Sequence, residues 1–198
     1  MTYWKQTIDY YEKNGDEFFR TTVGVNMEEN YRPFLDLIPP GGSILDAGSG
    51  SGRDSLYFMN KGYQVTAIDA SPTLVKMSSA LTGMDVKLIR FDEIEFEEEF
   101  DGIWACASLL HVPRQELSTV LLKLAMALKP SGVLYASFKY GDSEEMKNGR
   151  FFNSMDEDSL RKQIKNISPL QVLTTWKTTD VRQDRQSEHW LNAIVQKS

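Results

Sequence analysis

The chain has 198 residues, 41% of them hydrophobic and 25% charged, with a formal net charge of −6; this is the balance of a globular domain with enough apolar material for a core, not of a disordered or fibrous chain. The acid excess argues against tight nucleic-acid binding, the two histidines exclude a His-rich metal site, and the single cysteine, Cys106, excludes an internal disulfide and fits a reducing compartment. Met1 to Gln6 lacks the apolar core of a leader peptide, and no apolar run approaches the roughly 18 residues of a membrane span, so a cytoplasmic protein without membrane contact or bound metal is expected.

Residues 4–38 read as two helices, and Tyr3, Trp4, Tyr10, Tyr11, Phe18 and Phe19 make the first strongly aromatic. Then come strand 43–47, helix 53–61, strand 63–68, helix 72–82, strands 85–90 and 100–106, and helix 114–128. Strand 132–138, helix 156–166 and strands 170–177 and 188–196 complete the series. Strands alternating with helices imply a parallel sheet covered on both faces. The last two strands have no helix between them and should pair antiparallel. Residues 139–155 are longer than a strand-to-helix link needs, and long ordered loops are often functional. No linker, repeat or low-complexity segment divides the chain. One domain is expected, with a helical cap over residues 1–40 and an α/β core over 41–198.

Within this series, Ile44-Leu45-Asp46-Ala47-Gly48-Ser49-Gly50-Ser51-Gly52 is a buried strand running into a three-glycine turn, with a helix opening behind it. Glycine removes the Cβ, so the backbone can bend tightly and a ligand can lie against it. Such turns hold nucleoside-bearing cofactors in α/β proteins. The dinucleotide fingerprint places its third glycine one position later, where this chain has Arg53. Asp69 ends the second strand, where a carboxylate can accept hydrogen bonds from a ribose diol. Ser71 and Pro72 behind it suit a helix N-cap and first turn.

Asp46, Gly48, Gly50 and Gly52 match motif I of the class I S-adenosylmethionine-dependent methyltransferases position by position, and the chain resembles that family. Asp69 matches the ribose acid, and Asp92, with Phe91, Glu93 and Ile94, the acid that meets the adenine amine. Residues 100–107 resemble the fourth strand, and 128–138 the helix end, turn and fifth strand. The resemblance implies a Rossmann-like, doubly wound seven-stranded α/β sheet, six strands parallel and the seventh antiparallel. It implies S-adenosyl-L-methionine as cofactor and methyl transfer to a small-molecule acceptor. The cofactor would touch Asp46, Gly48, Gly50, Gly52, Arg53, Asp69, Ala70, Asp92, Glu93, Ala105 and Cys106. The opening Gly52-Arg53-Asp54-Ser55 is similar to the branch that includes tellurite-resistance and thiol methyltransferases.

Methyl transfer from a sulfonium needs alignment and dryness more than acid–base groups. His111, just after the fourth strand, is the best candidate for a base, although packing against the cofactor or orienting it is the favoured reading for a histidine in this loop. Cys106 reads as a small buried residue rather than a nucleophile. Tyr10, Tyr11 and Tyr140 could orient an acceptor. Lys139 and Arg150, with Arg182 and Arg185, could grip an anionic one. The acceptor pocket is expected between the N-terminal aromatic helix, the loop beginning at His111 and residues 139–152.

Two rivals remain at this level. A nicotinamide-dependent oxidoreductase is disfavoured by the G-x-G-x-G spacing and by Asp92. A non-catalytic S-adenosylmethionine-binding regulator or partner-binding subunit is compatible with the same residues.

Overall fold

The computed structural model describes residues 3–182 and 185–198. Helices α1 (Tyr3–Thr22) and α2 (Glu28–Leu35) precede β1 (Ser43–Ala47), α3 (Arg53–Asn60), β2 (Gln64–Asp69), α4 (Pro72–Thr82) and β3 (Lys87–Leu88). Then follow β4 (Phe100–Ala105), α5 (Arg114–Ala127), β5 (Leu128–Lys139), β6 (Glu144–Lys147) and β7 (Arg150–Asn153). Helix α6 (Glu157–Lys165), β8 (Leu170–Thr179) and β9 (His189–Lys197) end the chain.

Seven strands form one sheet in the order β3-β2-β1-β4-β5-β9-β8. The pairs among β3, β2, β1, β4 and β5 are parallel, and β9 runs antiparallel to both β5 and β8. Six strands therefore run one way and β9 the other, the arrangement that the resemblance implied. The antiparallel strand lies inside the sheet, between β5 and the edge strand β8.

Alternation along each central strand feeds two cores. Leu45, Ile103 and Leu134 point into one face with Leu121, Leu124 and Phe138. Their neighbours Ile44, Trp104 and Tyr135 point into the other with Phe34 and Phe58. Successive side chains on a strand face opposite sides, so each strand binds two helical layers at once. The chain leaves β1 toward β2 on one side and later places β4 on the other. That reversal opens a crevice beyond the carboxyl ends of β1 and β4, where open α/β sheets take ligands.

Three elements depart from expectation. The strand expected over 85–90 is reduced to Lys87–Leu88, both exposed at the sheet edge, because the chain turns at once into a 3₁₀ turn over Phe91–Glu93. Strand β5 begins four residues earlier than its apolar core, because Leu128 pairs with Phe100 before a register shift at Gly102. Residues 139–155 form a hairpin rather than a loop, with β6 and β7 paired antiparallel from Glu144↔Asn153 to Lys147↔Arg150. Asn148 and Gly149 both have positive φ, 51° and 77°. This Asn-Gly pair suits a two-residue hairpin turn, and the signal was present in the sequence.

Candidate cofactor and acceptor cavity

The glycine turn is shaped by the protein's own packing. Gly48, Gly50 and Gly52 have φ of 89°, 54° and 80°. A Cβ on Gly48 would lie 2.5 Å from the Ser108 Cβ, one on Gly50 3.1 Å from Phe18, and one on Gly52 2.7 Å from the Ser78 Oγ. The turn is thus wedged between the loop after β4, helix α1 and helix α4. Gly48 and Gly50 line the cavity beyond β1 and β4; Gly52 lies behind it.

Asp69, at the end of β2, lines the same cavity and is largely buried. One of its oxygens accepts the Gly50 N–H and the other the Ser71 N–H, each at 2.9 Å. Burial pushes its carboxyl above the usual range against these bonds. Its four lone-pair positions leave room for a diol beside the two backbone donors.

Asp46 is buried beneath the turn and off the cavity wall. It accepts the Ser55 hydroxyl at 2.6 Å, and burial with the nearby Asp54 charge pushes its carboxyl up to about 8. Asp54 is the junction of that layer. It accepts Arg53 Nε at 2.6 Å, Tyr31 Oη at 2.5 Å and Trp104 Nε1 at 2.8 Å. Burial alone would raise the Asp54 carboxyl, but the Arg53 guanidinium outweighs it and holds it below the usual range. Arg53 itself reaches the cavity.

At the β3 side Ala70, Ile89, Phe91 and Asp92 line the cavity, whereas Glu93 turns back to accept the Arg90 N–H. Asp92 is paired with Arg90, whose guanidinium carbon sits 4.5 Å from the Trp4 ring centroid. Ala105 is fully buried inside β4 and off the wall, while Cys106 lines it. Burial, with the Asp54 charge adding to it, pushes the Cys106 thiol up to about 12, so it stays protonated and inert.

Helix α1 roofs the cavity through Trp4, Thr7, Ile8, Tyr11 and Phe18. Their spacing puts them on one face of the helix, a signal legible in the sequence. The Glu12 carboxylate fixes the roof to the start of α4, accepting Ser71 Oγ at 2.5 Å and the Thr73 N–H at 3.0 Å. On the other side the Thr7 hydroxyl accepts the Phe151 N–H at 3.1 Å.

His111 closes the far wall in a short turn after β4. Its Nδ1 lies 2.6 Å from the Phe151 carbonyl, an acceptor only, so Nδ1 carries the hydrogen. Nε2 then accepts the Tyr11 hydroxyl at 2.9 Å. Burial pushes the imidazole down to about 4; the Phe151 carbonyl opposes this, and the Arg150 and Lys139 charges add to it. Burial likewise raises the Tyr11 phenol, with Arg150 opposing.

Arg150 stands among rings, its guanidinium carbon 4.3 Å from the Tyr10 centroid and 5.0 Å from that of Phe152. Its Nε is buried without a hydrogen-bond partner. Among the described residues no carboxylate pairs with it, in contrast to Arg53, Arg90, Lys139 and Arg182, which pair with Asp54, Asp92, Glu188 and Asp180. Of the five substrate candidates, Tyr11, Lys139 and Arg150 reach the wall. Tyr10 lies behind Arg150. Tyr140, one residue beyond Lys139 and on the opposite side of the strand, donates to Glu157 and accepts from Lys177 outside the cavity. Arg185 also reaches the wall; Phe18, Phe152 and Trp190 were not singled out for the site and are on it.

This cavity, about 320 Å³, lies in a Rossmann-like fold that the chain shares with solved methyltransferase structures. Residues 44–132 match the family model described as a methyltransferase domain. A methyltransferase of Staphylococcus carnosus is 25% identical over 166 residues, 79% of this chain and 80% of that protein. The ubiquinone biosynthesis O-methyltransferase of Xanthomonas axonopodis pv. citri is 34% identical over 51% of this chain, a stretch that is 44% of the relative's own length. The crystal structure of the Burkholderia thailandensis 1,6-didemethyltoxoflavin-N1-methyltransferase, with that compound and S-adenosylhomocysteine bound, superposes with a TM-score of 0.78 at 21% identity. It covers 96% of this chain and 85% of that one.

The donor set of the cavity fits S-adenosylmethionine: Asp69 would offer a buried carboxylate to the ribose, Arg53 a guanidinium to the carboxylate end, and Phe91, Ile89 and Asp92 an apolar face with an acid for the base. Among the described residues no cluster of His, Cys, Asp and Glu could hold a metal ion, and no helix is long and apolar enough to cross a membrane.

Proposed function

We propose that this protein transfers the methyl group of S-adenosylmethionine to a small-molecule acceptor that carries negative charge. The observation that carries the anionic part is Arg150, a cavity cation without a carboxylate partner whose Nε is buried and unsatisfied. Leaving such a group unpaired costs free energy that a ligand oxyanion recovers. Lys139 adds charge nearby while tied to Glu188.

The bound cofactor supplies a methyl group already activated on a positive sulfur. The chain's residues supply the rest. Tyr11, Phe18 and Phe152 exclude water and flank the acceptor. Arg150 fixes its charged end, and the Tyr11–His111 pair offers a hydrogen-bonding edge that is neutral at physiological pH. Alignment of this kind, rather than a covalent intermediate, is the main requirement of an in-line displacement.

Arg150→Gln tests the reading. One charge-assisted hydrogen bond contributes about 1.5–3 kcal/mol, so KM for the acceptor should rise at least about tenfold while cofactor affinity by calorimetry stays within about twofold. An unchanged KM would remove the anionic acceptor. Placement in the tellurite-resistance and thiol branch rests on Gly52-Arg53-Asp54-Ser55 alone. Those side chains are engaged inside the protein, Arg53 and Ser55 on Asp54 and Asp46, so they act on the cofactor turn rather than on acceptor choice.

A further inference from the structure

Two functions meet at Tyr11. Its hydroxyl donates to His111 Nε2 at 2.9 Å. The Arg150 guanidinium carbon lies 5.9 Å from its ring centroid. The place where a proton can leave and the place where a negative charge is held are therefore the same. A substrate with a fixed carboxylate far from its reacting atom would need them apart.

The walls also select against amines. The cavity-lining acids Asp54, Asp92 and Asp180 are each paired with an arginine, and Asp69 accepts two backbone N–H groups. Glu116 is engaged as well. Among the described residues every acid on the wall has a partner inside the protein, whereas Arg150 has no carboxylate beside it. Tyr11, Phe18, Phe152 and Trp190 present rings to the space, which suits a flat guest.

We infer that the acceptor is a planar weak acid, of the phenol, enol or acidic ring N–H kind, methylated on the atom that loses the proton. The inference rests on the anionic reading above and narrows it, since the anion and the nucleophile become one group. The acceptor proton passes to Tyr11 Oη as the phenolic proton of Tyr11 passes to His111 Nε2. His111 keeps its Nδ1–H on the Phe151 carbonyl and becomes the imidazolium. The freed lone pair of the acceptor then bonds to the methyl carbon as the methyl–sulfur bond breaks, its electron pair staying on sulfur. The imidazolium afterwards gives its proton to water.

The charged groups facing His111 are Arg150 from β7 and Lys139 from β5, the latter paired with Glu188; Tyr11 faces it from α1. Both cations oppose an imidazolium, and only an acceptor anion beside them offsets that opposition. Proton removal and anion binding are thereby coupled. Tyr11 is the catalytic residue in this scheme, and His111, acting through it, is a positioning residue.

The test uses the full-length protein saturated with S-adenosylhomocysteine. A nitrophenol, whose phenolate absorbs in the visible, is titrated in parallel with benzoate and benzylamine. The bound nitrophenol should ionise about one pH unit or more below the free compound, and Arg150→Gln should abolish that shift. Benzylamine should bind far more weakly than benzoate. In turnover, Tyr11→Phe should slow methyl transfer to a phenol of high pKa more than to one of low pKa, with cofactor affinity kept. An unshifted nitrophenol, benzylamine binding equal to benzoate, or equal slowing of both phenols overturns the inference. Arg150-dependent benzoate binding without a nitrophenol shift leaves the anionic acceptor standing and removes only the weak acid. Loss of Arg150 dependence for both ligands removes both readings.

Discussion

The cofactor half and the acceptor half of the cavity are built on opposite terms. Around the glycine turn each carboxylate has a partner inside the protein: Asp46 has Ser55, Asp54 has Arg53, Tyr31 and Trp104, and Asp69 has two backbone N–H groups. Across the cavity Arg150 keeps a buried Nε with none. The first half is rigid before any ligand arrives, which keeps the ordering cost of binding low. The second half leaves one polar group waiting, and such a group states what it wants. A site preorganised for an invariant cofactor and left unsatisfied toward a variable acceptor is legible in its pairing pattern alone.

Breaking the finished half should cost the most. Asp54→Ala leaves the buried Arg53 charge and two buried donors unpaired, a loss of about 3–5 kcal/mol. Differential scanning calorimetry should show a large fall in Tm, by roughly 2–4 °C per kcal/mol for a domain of this size. A fall of a degree or less would mean that the junction is incidental. Asp69→Ala comes next, with cofactor affinity by calorimetry falling at least about tenfold. Because Asp69 also pins Gly50 and Ser71, hydrogen exchange at both amides should speed up in the mutant. Tight cofactor binding in a folded Asp69→Ala protein would dismiss the ribose role.

The acceptor half is tested by pH. The imidazole of His111 titrates near 4 in the folded protein against an ordinary value of 6.5. The unfolded chain then binds more protons than the folded one between those values. Its contribution to stability is full above pH 6.5 and is lost as pH falls toward 4. Denaturant melts of wild type and His111→Gln should diverge above that window and converge below it; parallel curves would place His111 in water. The smallest effect is expected of Glu12→Gln. Exposed bonds of this type contribute under about 1 kcal/mol, so stability should barely move, while the cofactor off-rate in stopped flow should rise.

What the sequence disclosed follows the same division. The cofactor half is contiguous, with strand, turn and acid in order. Gly48, Asp69 and Asp92, singled out through the family resemblance, all reach the cavity wall. Spacing could not show that Asp46 lies beneath the turn and Ala105 inside the strand, because burial of a strand end depends on the layers packed on it. The acceptor half is assembled from afar. Tyr11 and His111 are 100 residues apart in the chain, and His111 meets a carbonyl 40 residues further on. No periodicity encodes such meetings. The hairpin that carries Arg150 was signalled by Asn148-Gly149, but its strands, with Glu144, Glu145 and Lys147 all exposed, lack the apolar alternation that marks a buried sheet.

One detail of the roof has a mechanical meaning. Helix α1 is interrupted at Asn14, where φ is −119° and ψ 15°. Thr7, Tyr11 and Glu12, which fasten the roof to the hairpin, to His111 and to α4, all precede that break. Phe18, seated against Gly50, follows it. The helix is thus a jointed arm with its latches on the outer segment and its shoulder on the glycine turn. The contacts to the hairpin, to His111 and to α4 therefore lie on one side of the break, and the contact that shelters the glycine turn lies on the other.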